Sequence, residues 1–170
     1  MLTRALLWVG AISALVMLGV HLYTFVPGAP GVSILALTPI IVLMFPVFAT
    51  AALVMKRRTN GDPDRAWKRA FTGTPSWVGP VLLGLFAYTG FNFLFSLLYL
   101  NEGLSPDLQN GQFVLQSHGR TVRMITEAEY HRHKAIEVRG ISTHLLFFHA
   151  LGSAVLWSEV LLGTSKRNKQ

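Results

Sequence analysis

"TEAEYHRHKAIEVRGISTHLLFFHALGSAVLWSEVLLG", residues 126–163, changes character at its midpoint. Up to Gly140 it mixes charges of both signs with apolar side chains; from Ile141 onward its one charge is Glu159. Thr126 and Glu129 have the spacing of a capping box, in which each reaches the other's backbone N–H, so a helix is predicted to start at Glu127. Run unbroken to Gly163, it would be roughly 55 Å long at about 1.5 Å per residue. The hydrocarbon layer of a bilayer is only roughly 30 Å thick. The stretch therefore reads as a membrane span, residues 141–163, whose helix begins outside the lipid and either projects from it or bends at Gly140.

Three other apolar runs match it: 5–26, 32–55 and 77–100. None of the four contains Lys, Arg or Asp, and Glu159 is the sole acid. Each has at least the roughly 20 residues that a helical crossing needs. Backbone polar groups in lipid must be satisfied within the segment, so each run is expected to be a helix. Composition agrees, with 51% apolar and 14% charged residues, against about 25% charged in an average soluble domain. The expected fold is an all-α membrane protein, a four-helix transmembrane bundle forming one integral domain over residues 1–170. A small extracytoplasmic β-hairpin plus helix is inserted between spans three and four.

The net charge of +7 would suit nucleic acid, but its placement points elsewhere. Ten of the fifteen basic residues lie at Arg4, in the 56–69 loop and in the 166–169 tail. In a four-span chain those places share one side, which is the positive-inside pattern. A multi-pass protein of the plasma (bacterial inner) membrane with both termini cytoplasmic is expected. Anionic lipid is the natural partner of that charge, and nucleic acid is not. Cysteine is absent, which excludes disulfides, thiolate metal sites and a catalytic thiol. The run 5–26 is longer than a secretory h-region and lacks a clean A-x-A site, so it is expected to be retained as a span.

Between the runs, "PGAPG" (27–31) is a short turn joining spans one and two into a helical hairpin. Pro39 and Pro46 are each expected to kink the second span. In "DPDRAWKRAF" (62–71), Asp62 as N-cap and Pro63 at the first helical position predict a short helix in the headgroup layer. Its aromatics Trp67 and Phe71 would dip inward among Arg65, Lys68 and Arg69, forming a lipid or partner interface and topological anchor. The charges of the 101–140 segment cancel. Within it "QFVLQSHGRTVRMI" (112–125) reads as a β-hairpin turning at His118-Gly119, with Leu115 facing Val122 and Phe113 facing Met124. Four apolar side chains on one face of a lone hairpin need a cover, which is the neighbouring helix, the ends of the spans, the bilayer surface or a second protein. This face is the best hint of a surface for a protein partner or a second copy of the chain.

Residues 125–149 hold four of the six histidines. On a helix His131 and His133 diverge, whereas Glu129, His133 and Glu137 share a face at i, i+4 steps, as metal-ligating helices do. Nearby Arg132, Lys134 and Arg139 oppose a cation there, and an exposed ion-paired face is the simpler reading. Within the spans, His21, His144 and His149 lie at comparable depth, together with a polar stripe of Tyr88, Asn92 and Ser96 and with Ser153. Two histidines on different helices would suffice for bis-imidazole ligation of haem b or for a metal or proton-relay role. The same groups serve interhelical hydrogen bonding with no cofactor, the commoner use. Walker, dinucleotide, HExxH and nucleophile–base patterns are absent. The sequence thus points to a non-catalytic accessory or interaction protein, with a haem- or metal-binding redox subunit as the alternative.

Overall fold

The computed structural model describes residues 1–28, 31–60, 62 and 69–167. Along the chain come α1 (Leu2–Tyr23), a 3₁₀ turn (Ile34–Leu37) leading into α2 (Thr38–Thr59), and α3 (Val78–Phe95), which ends in a π turn (Ser96–Leu100). Strands β1 (Ser105–Gln109), β2 (Gln112–Ser117) and β3 (Arg120–Met124) follow, and then α4 (Glu127–Arg167). Four helices are long and apolar enough to cross a membrane: Leu2–Tyr23, Ile34–Thr59, Val78–Leu100 and Glu127–Ser165. Their outward residues match that composition, since Trp8, Ile12, Leu15 and Leu22 of α1 are each more than half exposed. In α4 half of the apolar window is buried, against about a fifth in each of the other three, so α4 is the helix most enclosed by protein.

The ends of the helices follow local chemistry. Thr126 accepts from the Glu129 N–H at 3.2 Å and Glu129 Oε2 accepts from the Thr126 N–H at 2.8 Å, which is the predicted capping box. From it α4 runs 41 residues without interruption through Gly140. Pro39 does not sit in a helix interior as expected. It is the second residue of α2, where its missing N–H is one that a first turn leaves unpaired anyway, and only Pro46 lies inside the helix. The third span is not wholly α-helical. From Ser96 the bonds lengthen to the π pattern, with the Asn101 N–H reaching the Ser96 carbonyl at 3.0 Å.

The chain divides into two compact units. The first comprises Met1–Val16, Pro39–Phe86 and Leu145–Gln170. Its core is Val47, Ala51, Ala70, Val155 and Leu156, with Leu6, Leu7 and Phe71 packed against it. Val47 is fully buried and sets the spacing of three helices. A Cβ on Gly10 of α1 would lie 3.1 Å from its Cγ1, and one on Gly152 of α4 would lie 2.8 Å away. At Gly152 that approach leaves no room for a Cβ, and at Gly10 a Cβ would meet Ser153 Oγ closer still. This is the small-residue packing by which apolar helices associate without expelling water.

The second unit comprises Met17–Thr38 and Ala87–His144 and holds the sheet. Strand order is β1-β2-β3, all antiparallel. Asn110-Gly111 and His118-Gly119 both take positive φ, the two-residue hairpin turn that matches strand twist. The expected hairpin is therefore present, extended by the unanticipated β1. Its register differs from expectation: Leu115 pairs with Arg123 and Val114 with Met124, while Gln116 pairs with Thr121. Val122 is the extra residue of a bulge, which moves Met124 to the face opposite Phe113 and Leu115.

Candidate functional site

The expected polar stripe of the third span meets the first and fourth spans inside the second unit. His21, in the last turn of α1, is buried with both ring nitrogens engaged. Nε2 is 2.7 Å from the Tyr88 hydroxyl and Nδ1 is 3.2 Å from Ser142 Oγ. Ser142 directs its proton to the Arg139 carbonyl at 3.2 Å, so its oxygen is free to accept. The imidazole then donates from Nδ1–H to Ser142 and accepts at Nε2 from the Tyr88 O–H. One turn along α3, Asn92 Nδ2 donates to the Arg139 carbonyl at 3.1 Å and to Thr143 Oγ1 at 3.2 Å. Thr89 Oγ1 donates to the Thr143 carbonyl at 3.3 Å. Arg139 itself donates from Nε to Thr24 Oγ1 at 3.2 Å and from an Nη to the Thr24 carbonyl at 2.7 Å, and its guanidinium lies 3.9 Å from the centre of the Phe25 ring.

The network joins α1, α3 and α4, and its buried members His21, Thr24, Thr89, Asn92, Ser142 and Thr143 each find a partner, which is what buried polar atoms require. Tyr88 and Asn92 belong to it as expected. Ser96 does not, since its buried Oγ has no partner. Thr24, Thr89, Ser142 and Thr143 were not anticipated. Ser142 and Thr143 lie just inside the fourth run at its polar end, where one is needed opposite His21, and that was the available signal.

The other histidines are placed differently. His144 Nδ1 donates to its own helix's Gly140 carbonyl at 2.8 Å, and its ring meets Phe93 edge-on. His149 lies in the first unit, fully buried, where Nε2 donates to the Ile40 carbonyl at 3.1 Å and Nδ1 is without a partner. Ser153, also in the first unit, reaches the Leu7 carbonyl at 3.5 Å. Haem ligation by His21 would have to displace Tyr88 or Ser142, and ligation by His149 through Nε2 would have to break the bond to Ile40.

The weak metal face is distributed among other partners. Glu129 serves the cap and meets Arg123 at 3.5 Å, Glu137 pairs with Lys134 at 3.0 Å, and His133 Nδ1 is 2.9 Å from Asn101 Oδ1. Hydrogen bonds from the backbone and then the hydroxyl of Thr126 hold Glu129 below the usual carboxylate range. Burial pushes His133 below its ordinary value, and Arg123 and Arg132 add to the effect. Among the described residues no three His, Cys, Asp or Glu side chains are grouped to hold a metal ion.

Of the expected headgroup helix, Arg65, Trp67 and Lys68 lie outside the described residues. Ala70 and Phe71 pack on the first unit's core. Arg69 donates to the Arg58 carbonyl at 2.7 Å, and Arg58 returns a bond to the Arg69 carbonyl at 3.3 Å. Arg58 also grips Glu159, from Nε at 2.8 Å and from an Nη at 2.5 Å, and donates to Ser158 at 2.9 Å. Glu159 thus has a partner on α2. Opposite charges near the same ends of two runs were a legible hint of that pair.

No protein-family model, no curated protein and no solved structure matches this chain.

Proposed function

We propose that the chain is a four-span membrane protein with both termini cytoplasmic, which runs no reaction of its own and presents its sheet to a partner protein outside the bilayer. The observation that carries this reading is β3. All five of its residues are exposed, Val122 at 55% and Met124 at 67%, while the adjoining β2 buries Val114 and Leu115. Leu108 on β1 is also exposed. The orientation is supported by the basic residues gathered at Arg4, 56–69 and 166–169.

The chemistry of β3 narrows the partner. The bulge at Val122 and the neighbouring arginines discourage backbone pairing at the edge, so recognition would run through side chains. Arg120 makes no ion pair among the described residues, and Arg123 has only the exposed Glu129. A second copy packed about a two-fold axis would bring Arg120 and Arg123 towards their own kind. An apolar patch rimmed by carboxylates on a different protein suits the surface better.

A photo-crosslinking residue at Val122 or Met124, activated in native membranes, tests the reading. One discrete adduct of a different protein is expected, absent from a control at Trp8. Adducts of lipid alone, or of twice the mass of the chain, would refute it.

A further inference from the structure

We infer that the cleft where α1 and α3 end against α4 binds an anionic glycerophospholipid of the surrounding bilayer. The inference rests on the membrane reading above and concerns a different surface from β3. The cleft, about 960 Å³, is lined entirely by residues of the second unit.

Its construction follows from helix periodicity. Ala128, Arg132, Ala135 and Arg139 lie on one face of α4 at alternating steps of four and three, and all four line the cleft. The alanines leave depth and the arginines supply charge. The facing wall is apolar, made by Phe25 and Val26 just after α1 and by Leu100 at the end of the π turn. These are the last residues of the first and third apolar runs. In a chain that crosses a bilayer, the end of an apolar run lies at the level of the headgroups.

The electrostatics are one-sided. Arg132 is exposed and makes no ion pair among the described residues. Arg139 is anchored by Thr24 and stacked on Phe25, and its remaining N–H groups have no partner among the described residues. The one carboxylate lining the cleft, Glu127, is 3.7 Å from His131. A phosphate fits between such donors, since guanidinium binds phosphate oxygens through directed, charge-assisted bonds. Acyl chains fit Phe25, Val26 and Leu100, which offer nothing to a small soluble anion. A zwitterionic headgroup would bring its own cation against Arg132 and Arg139, so net negative charge is selected.

Native mass spectrometry of the full chain, extracted in mild detergent and titrated with phosphatidylglycerol or phosphatidylcholine, tests this. Preferential phosphatidylglycerol adducts are expected. Arg132→Gln should weaken them about tenfold, the scale of one lost charge-assisted bond, and leave phosphatidylcholine adducts unchanged. Ala135→Leu, which fills the cleft, should weaken both. Neither variant removes a hydrogen bond seen within the chain, so thermal unfolding should match the wild type. Equal binding of the two lipids by the wild type overturns the inference. So does phosphatidylglycerol binding that survives both substitutions, or that excess inorganic phosphate abolishes. Carbonate washing of the source membranes separates the two claims. A protein that stays in the membrane but shows no lipid preference sinks the cleft alone, and one that washes off sinks both.

Discussion

Gly152→Ala is the smallest change that should disturb the first unit. The added Cβ would sit 2.8 Å from Val47 Cγ1, where ordinary contact begins at 3.4 Å, so the overlap is 3.4 − 2.8 = 0.6 Å. Val47 cannot relieve it by turning, because a β-branched side chain in a helix has essentially one χ1 well. The residue is also fully buried, and the place where Gly10's Cβ would sit is only 3.1 Å from the same methyl. The helices must part, and overpacking of this kind costs ~1–3 kcal/mol. Val47→Ala alone should cost ~2 kcal/mol through lost contacts and a residual void. In the double variant the shortened side chain makes room for the new methyl. The two costs should therefore fall short of their sum by ~1–2 kcal/mol, within the usual range for residues in contact. Reversible unfolding in mixed micelles, titrated with a denaturing detergent and followed by circular dichroism, reads all four corners of the cycle. If Gly152→Ala is neutral, or the pair adds to within about 0.5 kcal/mol, the contact does not set the spacing of α2 and α4.

Four further outcomes are expected. Tyr88→Phe removes the donor to His21 Nε2 and should cost ~0.6 kcal/mol, the average for hydrogen bonds between membrane helices, and no more than ~1.7 kcal/mol, the largest value found for one; a stabilised variant in the same micelle titration would contradict the assignment. Arg58→Gln should destabilise more than Glu159→Gln, because Arg58 also bonds Ser158 and the Arg69 carbonyl, whereas Glu159 is 43% exposed and its share of the pair is screened to about 1 kcal/mol or less. Equal costs would mean that the ion pair is the whole of that cluster. The Glu129 cap should be intact above the ordinary carboxylate pKa and be lost as pH falls through its lowered folded value, because the unfolded chain then binds the proton more readily. Amide protection factors at residues 127–130, with the intrinsic pH dependence of exchange divided out, should fall on acidification in the wild type and stay flat in Glu129→Gln. The purified protein should show no Soret band, since ligation by His21 competes with both Tyr88 and Ser142; a band that vanishes in His21→Gln would overturn the hydrogen-bonding role given to that residue.

Which parts of this fold could be read from the sequence depended on whether one local rule decided them. The capping box at Thr126 and Glu129, and the turn at His118-Gly119, are each set by two or three adjacent residues. Each occurs where its pattern lies. The register of β3 is different. Strand register is enforced by burying one face, and β3 buries neither, so alternating apolar residues at Val122 and Met124 carried no information about which face they would occupy. The bulge then costs little, and the pairing slips. Strand β1 was missed for a related reason. "SPDLQ" contains residues that strands disfavour, and its place depends on the Asn110-Gly111 turn and on Pro106, which the fold buries at a sheet edge where the missing N–H does no harm.

The polar network shows the same divide at the level of side chains. Tyr88 and Asn92 stand out because an amide and a phenol are rare enough in an apolar run to need an explanation, and their spacing puts them on one face. Their partners do not stand out. Ser142 and Thr143 donate to carbonyls of their own helix, as serine and threonine in helices commonly do. Nothing in the sequence therefore marks them as acceptors for His21 and Asn92. What makes them so is the rotation of α4, which turns the Arg139 carbonyl and the Thr143 hydroxyl towards α3 and the Ser142 hydroxyl towards α1. The histidines follow from this. A buried imidazole takes whatever acceptor lies within reach, which is a hydroxyl for His21, an intrahelical carbonyl for His144 and the Ile40 carbonyl for His149. Comparable depth in two spans says how far along the first and fourth helices the rings lie, and leaves open which way each helix turns them. The acceptor each ring finds is set by that rotation, which no local pattern in the sequence encodes.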